Sequence, residues 1–496
     1  MVSLFSRRYH TVKATLGSAL AVISILIRII DWWGRGKIVA EWIASLPSWL
    51  HFLAEPWVIP LVLIVGLGLV FWAAFDRGGS ISFDNAQWLP EHYRKQRIPH
   101  EYIIGVIVLV AVIVVAVWLH HRVVGSAIDN LATLGWSVKT DAKTGMVFEV
   151  SGKPLPNMEK SVIYFRLLNN PFRLFLQQVP RISGLSLLSN VANFAALDID
   201  ASDVEDLYEL RGLTNLHSLT VSETPLRVSH ELDISAISAL TNLENLILNS
   251  ARVGNIESVR GFTKLVNLYV GETWVRDLSP VKNMKLKSVD VRGSNVTDLS
   301  VLETDTALEE LRVDEKQVPS LVRLTRLPNL SKLTIIPQAP LNLSPVGGLR
   351  SLTFLEILDS PTIDMSTLRN LTKLTTLQIM GPFPGRLSRT IDVDAIGDLS
   401  QLKSLSLGMM EVTSLRFLPK CHNLEELFLE NIPVSTINEV TALTSLKKIS
   451  LIGLPVVDIS PLLSLPNLEE VYLFRTPARS DVISELQRRG VKVTMP

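Results

Sequence analysis

The chain has 496 residues, 47% of them hydrophobic, and its 48 Lys and Arg balance its 48 Asp and Glu. That length accommodates two or three domains, and neither part of the chain carries the strong basic surplus of a nucleic-acid binder. One cysteine, Cys421, excludes an internal disulfide and a thiol-based zinc site; it leaves the compartment open, because cytoplasmic proteins and bacterial surface proteins can both lack disulfides.

The neutral total conceals a division. Residues 1–125 carry 11 Lys/Arg against 7 Asp/Glu, and the remainder 37 against 41. Eight of the ten tryptophans lie in the first 125 residues. Two modules of different composition are joined in one chain.

The first module, 1–125, holds two runs apolar enough to cross a bilayer. Residues 57–75 read WVIPLVLIVGLGLVFWAAF and residues 102–119 read YIIGVIVLVAVIVVAVWL, both without a charge. A helix of about 20 such residues matches the hydrocarbon thickness. Trp57, Trp72, Tyr102 and Trp118 edge the runs, where aromatic rings favour the headgroup layer. Both runs are predicted to be transmembrane helices. Gly66 and Gly68 point to close helix packing within the hairpin, or to pairing between copies of the chain.

The segment 14–33 admits two readings. It is a third span with Arg28 snorkelling to the surface, or an amphipathic helix lying in the interface. No cleaved signal peptide is expected, because no small-residue cleavage pattern follows the apolar run. With two spans and the N-terminus inside, the C-terminal module is cytoplasmic; with three it lies in the periplasm or outside the cell. Juxtamembrane Lys and Arg divide almost equally well either way. Arg28 and Asp31 burden the first segment as a span, so the reading adopted is a multi-pass protein of the cell (inner) membrane with its second module on the cytoplasmic side.

Residues 126–170 read as a linker and cap, with Trp136 to Val150 forming a short hairpin over the N-terminal end of the second module. From there the phrase Leu-x-x-Leu-x-Leu begins at Phe194, Leu216, Leu243, Leu265, Leu286, Leu308, Leu330, Leu352, Leu374, Leu402, Leu424, Leu446 and Leu468. The steps are 22 residues, apart from one of 21, one of 27 and one of 28. Phe172, 22 before Phe194, opens a degenerate further copy. Positions 4 and 6 of the phrase alternate as on a strand, and position 1 turns in from the preceding loop. A second apolar group comes after each phrase, as in Val275, Leu278 and Val281 or Val456, Ile459 and Leu462. No 22-residue unit can bury these groups alone, so neighbouring units must stack around one continuous core.

The phrases DLSPV (277–281), DLSVL (298–302) and DISPL (458–462), followed by LTNL, LTKL or LPNL, resemble the 22-residue leucine-rich repeats of internalin-like bacterial proteins. The resemblance implies an α/β solenoid over 171–479, a leucine-rich repeat horseshoe with a parallel sheet on its concave side. It also implies a binding role. The position two residues past the strand phrase, usually Asn in this class, holds Thr224, Thr273, Ser294, Lys316, Ile432, Leu454 and Thr476. Thr and Ser supply part of the expected side-chain ladder; elsewhere backbone groups must find other partners. Longer steps mark insertions near 224–232 and at GPFPGRLSRT (381–390), the latter an ordered excursion rather than a strand, both on one edge of the solenoid. Residues 480–496 are a C-terminal cap: Ser480 or Asp481 caps a helix, Gly490 stops it, and VKV adds a last strand, an arrangement with which a chain is expected to finish.

No motif of a nucleophile, a phosphate loop or a metal helix is present. The scattered histidines, His120, His121 and His422 among them, carry no ligand geometry, so neither enzyme activity nor a cofactor or metal is expected. Positions 2, 3 and 5 of each phrase point outward. They place Glu425, Glu426 and Phe428 beside Lys447, Lys448 and Ser450, then Glu469, Glu470 and Tyr472. Lys287, Asp290 and Arg292 stand likewise beside Glu309, Glu310 and Arg312. One reading is a solvated face whose charges pair across strands. The other is a protein-recognition strip in which Phe428, Tyr472 and Phe474 are aromatic anchors in a charged rim, with Tyr269, Trp274 and Phe354 as a second, more central group.

The function expected is therefore a membrane-anchored, non-catalytic leucine-rich repeat protein that binds a protein partner through its concave face. The alternative is a sensor whose transmembrane hairpin oligomerises to perturb the bilayer.

Overall fold

The computed structural model describes residues 80–81, 98–99 and 123–495, apart from 142–146, 153–157, 169–170, 178–183, 201–205, 223–230, 338, 340 and 383–388. The chain divides into two compact units, 1–126 and 127–496. In the first, β1 (Ser80–Ile81) pairs antiparallel with β2 (Ile98–Pro99). The predicted membrane segments 14–33, 57–75 and 102–119 lie outside the described residues. Among the described residues no helix is long and apolar enough to cross a membrane.

The second unit opens with an antiparallel hairpin, β3 (Ser137–Thr140) against β4 (Val147–Gly152). β4 pairs in parallel with β5 (Phe172–Gln177) and β5 with β6 (Phe194–Asp200). Parallel pairing continues through β7 (Ser218–Ser222), β8 (Asn245–Ile247), β9 (Asn267–Tyr269), β10 (Ser288–Asp290) and β11 (Glu310–Val313). It passes to β12 (Lys332–Ile335) and β13 (Phe354–Ile357), and, beyond β14 (Thr362–Asp364), to β15 (Thr376–Met380). After β16 (Arg389–Ile391) the sheet goes on through β17 (Ser404–Gly408), β18 (Glu426–Glu430), β19 (Lys448–Ile452), β20 (Glu470–Phe474) and β21 (Lys492–Thr494). β14 and β16 form a separate parallel pair.

The register follows the repeat. Leu405 faces Leu427, Leu427 faces Ile449, and Ile449 faces Val471. Because each partner lies one repeat away, the leucines form rows along the solenoid, and the chain is a leucine-rich repeat solenoid. Leu427, Leu429, Leu446 and Leu451 are wholly buried, as are the convex-side residues Val456 and Ile459. Each such side chain contributes about 1.5–3 kcal/mol over its exposed state, realised only when the neighbouring repeat is in place.

Two polar devices recur among the repeats around this core. On the convex side the chain passes through short 3-10 turns opened by Asp-x-Ser. Asp277 Oδ1 accepts from the Ser279 backbone N–H at 2.8 Å, while Ser279 Oγ donates to Asp277 Oδ2 at 2.6 Å. Asp298 and Ser300 repeat this at 2.8 Å for both bonds. The Asn of LTNL and LPNL joins one repeat to the last: Asn242, Asn329 and Asn423 donate to the carbonyls of Thr214, Thr306 and Ser400, each at 2.8 Å, and Asn467 donates to Thr444 at 2.9 Å.

The position past the strand phrase behaves differently from the expected ladder. Thr273 and Ser294 donate to carbonyls of their own turns, Val270 at 2.7 Å and Val291 at 2.6 Å. Thr476 reaches the preceding repeat, donating to Leu451 O at 3.0 Å. Just before this position the backbone turns off the sheet with positive φ, at Ser250, Glu272, Gly293, Asp359, Met409, Asn431, Gly453 and Arg475.

The ends are closed. Trp136, Phe165, Phe172 and Phe194 pack in series, edge-on, stacked and then tilted, with ring centroids 5.5, 5.6 and 5.7 Å apart, covering the N-terminal end of the core. The helix Ser480–Arg488 covers the other end with Val482, Ile483 and Leu486. Its N-cap is Arg479, which makes no side-chain cap bond, rather than Ser480 or Asp481. Gly490 turns with φ 86°, and β21 adds to β20. The 381–390 insertion is also corrected in part: its last two residues, Arg389 and Thr390, are strand rather than excursion, because they find an open edge at Thr362 and Ile363. Of the 224–232 insertion only Glu231 and Leu232 are described; Leu232 is buried, and its N–H donates to Arg252 O at 2.9 Å.

Candidate protein-recognition face

Alternation along each strand sends every second side chain away from the core. In β18 the outward residues are Glu426, Phe428 and Glu430; in β19 they are Lys448, Ser450 and Ile452; in β20 they are Glu470, Tyr472 and Phe474. In-register pairing lines these residues up in three rows across the concave face.

The outermost row, with the residues just before each strand, is a ladder of opposite charges. Glu425 takes Lys447 Nζ at 2.6 Å on one side and Lys403 Nζ at 3.2 Å on the other. Lys448 lies 3.6 Å from Glu426, and Lys492 lies 3.3 Å from Glu470. The hydrogen bond from Lys447, with a smaller one from Lys403, holds the Glu425 carboxyl below its usual range. Glu425 in turn raises Lys447. These groups are well exposed, so each pair is worth little by itself; together they fix the rim. The hollow over them is lined by charged and hydroxyl side chains such as Lys403, Ser404, Glu426 and Glu469. No apolar residue lines it, and what apolar surface it has comes from the stems of charged side chains.

Aromatic anchors emerge from the middle row. Phe428 and Tyr472 expose 37% and 36% of their surface. Between them stands Ser450, only 6% exposed. Phe474, in the third row, is half-buried, and the Arg475 guanidinium lies 5.1 Å from its ring centre.

The central group does not assemble. Tyr269 is on β9 and Phe354 on β13, with three strands between them. At about 4.8 Å per strand they are roughly 19 Å apart. Tyr269 is engaged within the chain: its hydroxyl lies 3.0 Å from Ser288 Oγ, and the Arg312 guanidinium lies 5.6 Å from its ring centre. Trp274 is 44% exposed, beyond the strand end. Here the structure adds what the sequence pattern misses. Asp290, wholly buried on the outward side, receives Arg292 at 2.6 and 2.9 Å. That hydrogen bond, against the opposing effect of burial, raises the Arg292 guanidinium above its usual range. The centre of the face is thus a closed polar network, whereas the C-terminal third presents open rings.

Among the described residues no group of three or more His, Cys, Asp or Glu is placed to hold a metal ion. Cys421 is buried against the carbonyls of Phe417 and Ile396, and burial pushes its thiol up to about 11.

No protein-family model matches the chain, and no curated protein is similar to it. Solved structures are. An internalin from Listeria monocytogenes is 26% identical over 62% of this chain and 88% of its own, with a TM-score of 0.47. A leucine-rich repeat protein of Leptospira interrogans is 18% identical over 69% of this chain and 92% of its own, with a TM-score of 0.45. A TLR13–ssRNA13 complex is 18% identical over 70% of this chain and 57% of its own, with a TM-score of 0.42.

Proposed function

We propose that this chain is a membrane-anchored leucine-rich repeat protein of the cell membrane, which holds a protein partner on its concave face and performs no chemistry. The observation that carries the reading is the exposure of Phe428 and Tyr472 inside a rim of ion-paired side chains. Large rings in a charged surround are the composition of protein interfaces. A rim in which acid and base alternate suits a surface of matching pattern better than a polyanion. The anchor is supported by the uncharged runs 57–75 and 102–119, and the cytoplasmic side by the burden that Arg28 and Asp31 place on the first segment as a span.

A photo-crosslinking residue at position 428 of the full chain, in its native membrane, tests the binding role. It is expected to capture one protein, and reversal of Glu425, Glu426, Lys447 and Lys448 together is expected to abolish capture. Capture unaffected by that reversal overturns the concave-face reading. Protease added to intact spheroplasts tests the side: the repeat unit is expected to survive until the cells are lysed, and cleavage before lysis places it outside.

A further inference from the structure

The concave face carries one arrangement twice, once filled and once open. At its centre, Tyr269, Asp290 and Arg312 lie in register on three successive strands. Asp290 is a wholly buried polar floor. The guanidinium of Arg312 reaches back across that floor and lies over the Tyr269 ring, while pairing with Glu310 at 2.7 Å. A ring, a buried polar floor and a flanking carboxylate are therefore completed by an arginine of the chain itself.

Towards the C-terminal end, Phe428, Ser450 and Tyr472 are in register on three successive strands in the same row. The floor is again polar and almost buried, and the two flanking residues are both exposed rings. Carboxylates again stand beside them: Glu426 and Glu470 on one side, where Lys448 lies between them and pairs with Glu426, and Glu430 on the other, where no cation answers it. Among the described residues no cation lies over Phe428 or Tyr472, and Glu430 pairs with no cation. The two ring-bearing backbones are two strand spacings apart, roughly 9.6 Å. Side chains on a concave sheet converge towards their tips, and a planar group stacked between two rings needs about 7 Å, twice the 3.5 Å contact distance. The backbone spacing thus leaves room for one planar group between the two rings.

We infer that this slot takes an arginine side chain of the protein partner, its guanidinium stacked between Phe428 and Tyr472 over Ser450 and paired to Glu430. A guanidinium is flat, permanently charged and weakly hydrated, and it stacks on aromatic faces as an ammonium does not. The inference rests on the concave-face reading above and adds the chemistry of the anchor.

The test uses the full chain in detergent with Nα-acetyl-arginine amide as probe, followed by saturation-transfer NMR and titration. The probe is expected to bind, and its neutral isostere, Nα-acetyl-citrulline amide, to bind at least about tenfold more weakly. Phe428→Ala and Tyr472→Ala are each expected to weaken the probe about fivefold or more. Ser450→Leu keeps both rings, fills the space between them, and is expected to have the same effect. Arg312→Ala, at the filled site, is expected to leave the slot unchanged. Equal binding of the citrulline probe, or arginine binding that survives both ring substitutions, overturns the inference. If the arginine probe fails while crosslinking at 428 still captures a protein lost on charge reversal, the slot falls and the concave-face reading stands. If both fail, the reading falls with it.

Discussion

Gln317 donates through Nε2 to the carbonyl of Val296 in the preceding repeat, at 2.6 Å, and its Oε1 accepts from the Asp314 backbone N–H at 2.8 Å. It is wholly buried. One amide side chain thus satisfies a donor of its own turn and an acceptor one repeat back. Replacing Gln317 with Leu keeps much of the volume but leaves both backbone groups buried and unpaired. The expected loss is about 2–4 kcal/mol, from two groups at roughly 1–3 kcal/mol each with partial relaxation. A lower urea midpoint with an unchanged slope checks it.

Gly293 occupies the turn that leaves β10, with φ 65°. A Cβ there would stand 2.9 Å from Glu272 Cγ and 3.2 Å from Glu272 Cα. The side-chain atom can move, but the backbone atom belongs to the equivalent turn of the preceding repeat. Gly293→Ala combines left-handed strain of about 1–2 kcal/mol with that contact, so a loss of at least this size is expected in thermal or urea unfolding. Ser250→Ala, at the equivalent turn with φ 60°, already bears a side chain; it is expected to change stability by under about 0.5 kcal/mol.

How much of this is legible in the sequence depends on the range of the interaction. The row formed by Leu405, Leu427, Ile449 and Val471 is readable because equal spacing forces equal direction, whatever the loops do. The outward set Glu426, Phe428, Lys448 and Tyr472 follows by alternation. What is not readable is whether a ring on that face is open. Phe428 and Phe474 are both outward-facing rings by alternation, yet Arg475 lies over Phe474. Tyr269 looks free until Arg312 is seen to reach it from two strands away. The buried Asp290 escapes too, because an outward position normally signals solvent. β16 is missed because its partner β14 lies off the main sheet, where no leucine phrase marks a strand.

Cys421 gives an internal probe of solenoid integrity. Its thiol is 2% exposed and raised to about 11 by burial, with Lys420 opposing weakly. Thiolate is the reactive form, so at pH 8 both exposure and ionisation protect it. Alkylation by iodoacetamide is expected to be at least about a hundredfold slower than for an unstructured cysteine, and to reach the unstructured rate in denaturant. Fast labelling of the native chain would mean that the repeat around Phe417 and Leu424 opens on its own. Cys421→Ala is expected to cost about 1–2 kcal/mol for the small cavity it leaves.

Acid acts on two sets of carboxyls with opposite sign. Hydrogen bonds from Ser279, Ser300 and Ser460 hold Asp277, Asp298 and Asp458 below the usual aspartate range. A group whose folded pKa is depressed stabilises the fold above its unfolded value, and this contribution fades as pH falls through the folded value. Asp198, Asp305 and Asp314 are raised, in each case chiefly by burial. They oppose folding at neutral pH, and the opposition is relieved as pH falls from above their folded values to the unfolded value near 3.9. Stability is therefore expected to hold or rise on first acidification, then to fall once the Asp-x-Ser turns protonate below about pH 3.9. Asp298→Asn removes one titrating turn while keeping its acceptor oxygen, so the fall in urea midpoint between pH 4 and pH 2.5 should be shallower than in the parent chain. Asp305→Asn loses one of the two acceptors that Asp305 offers to Leu286 and Ala307 N–H and so lowers the midpoint throughout, but it should gain less than the parent chain between pH 7 and pH 4, because the group that burial penalises no longer titrates. If Asp298→Asn and the parent chain lose stability in parallel below pH 4, the Asp298 turn is not a place where acid acts.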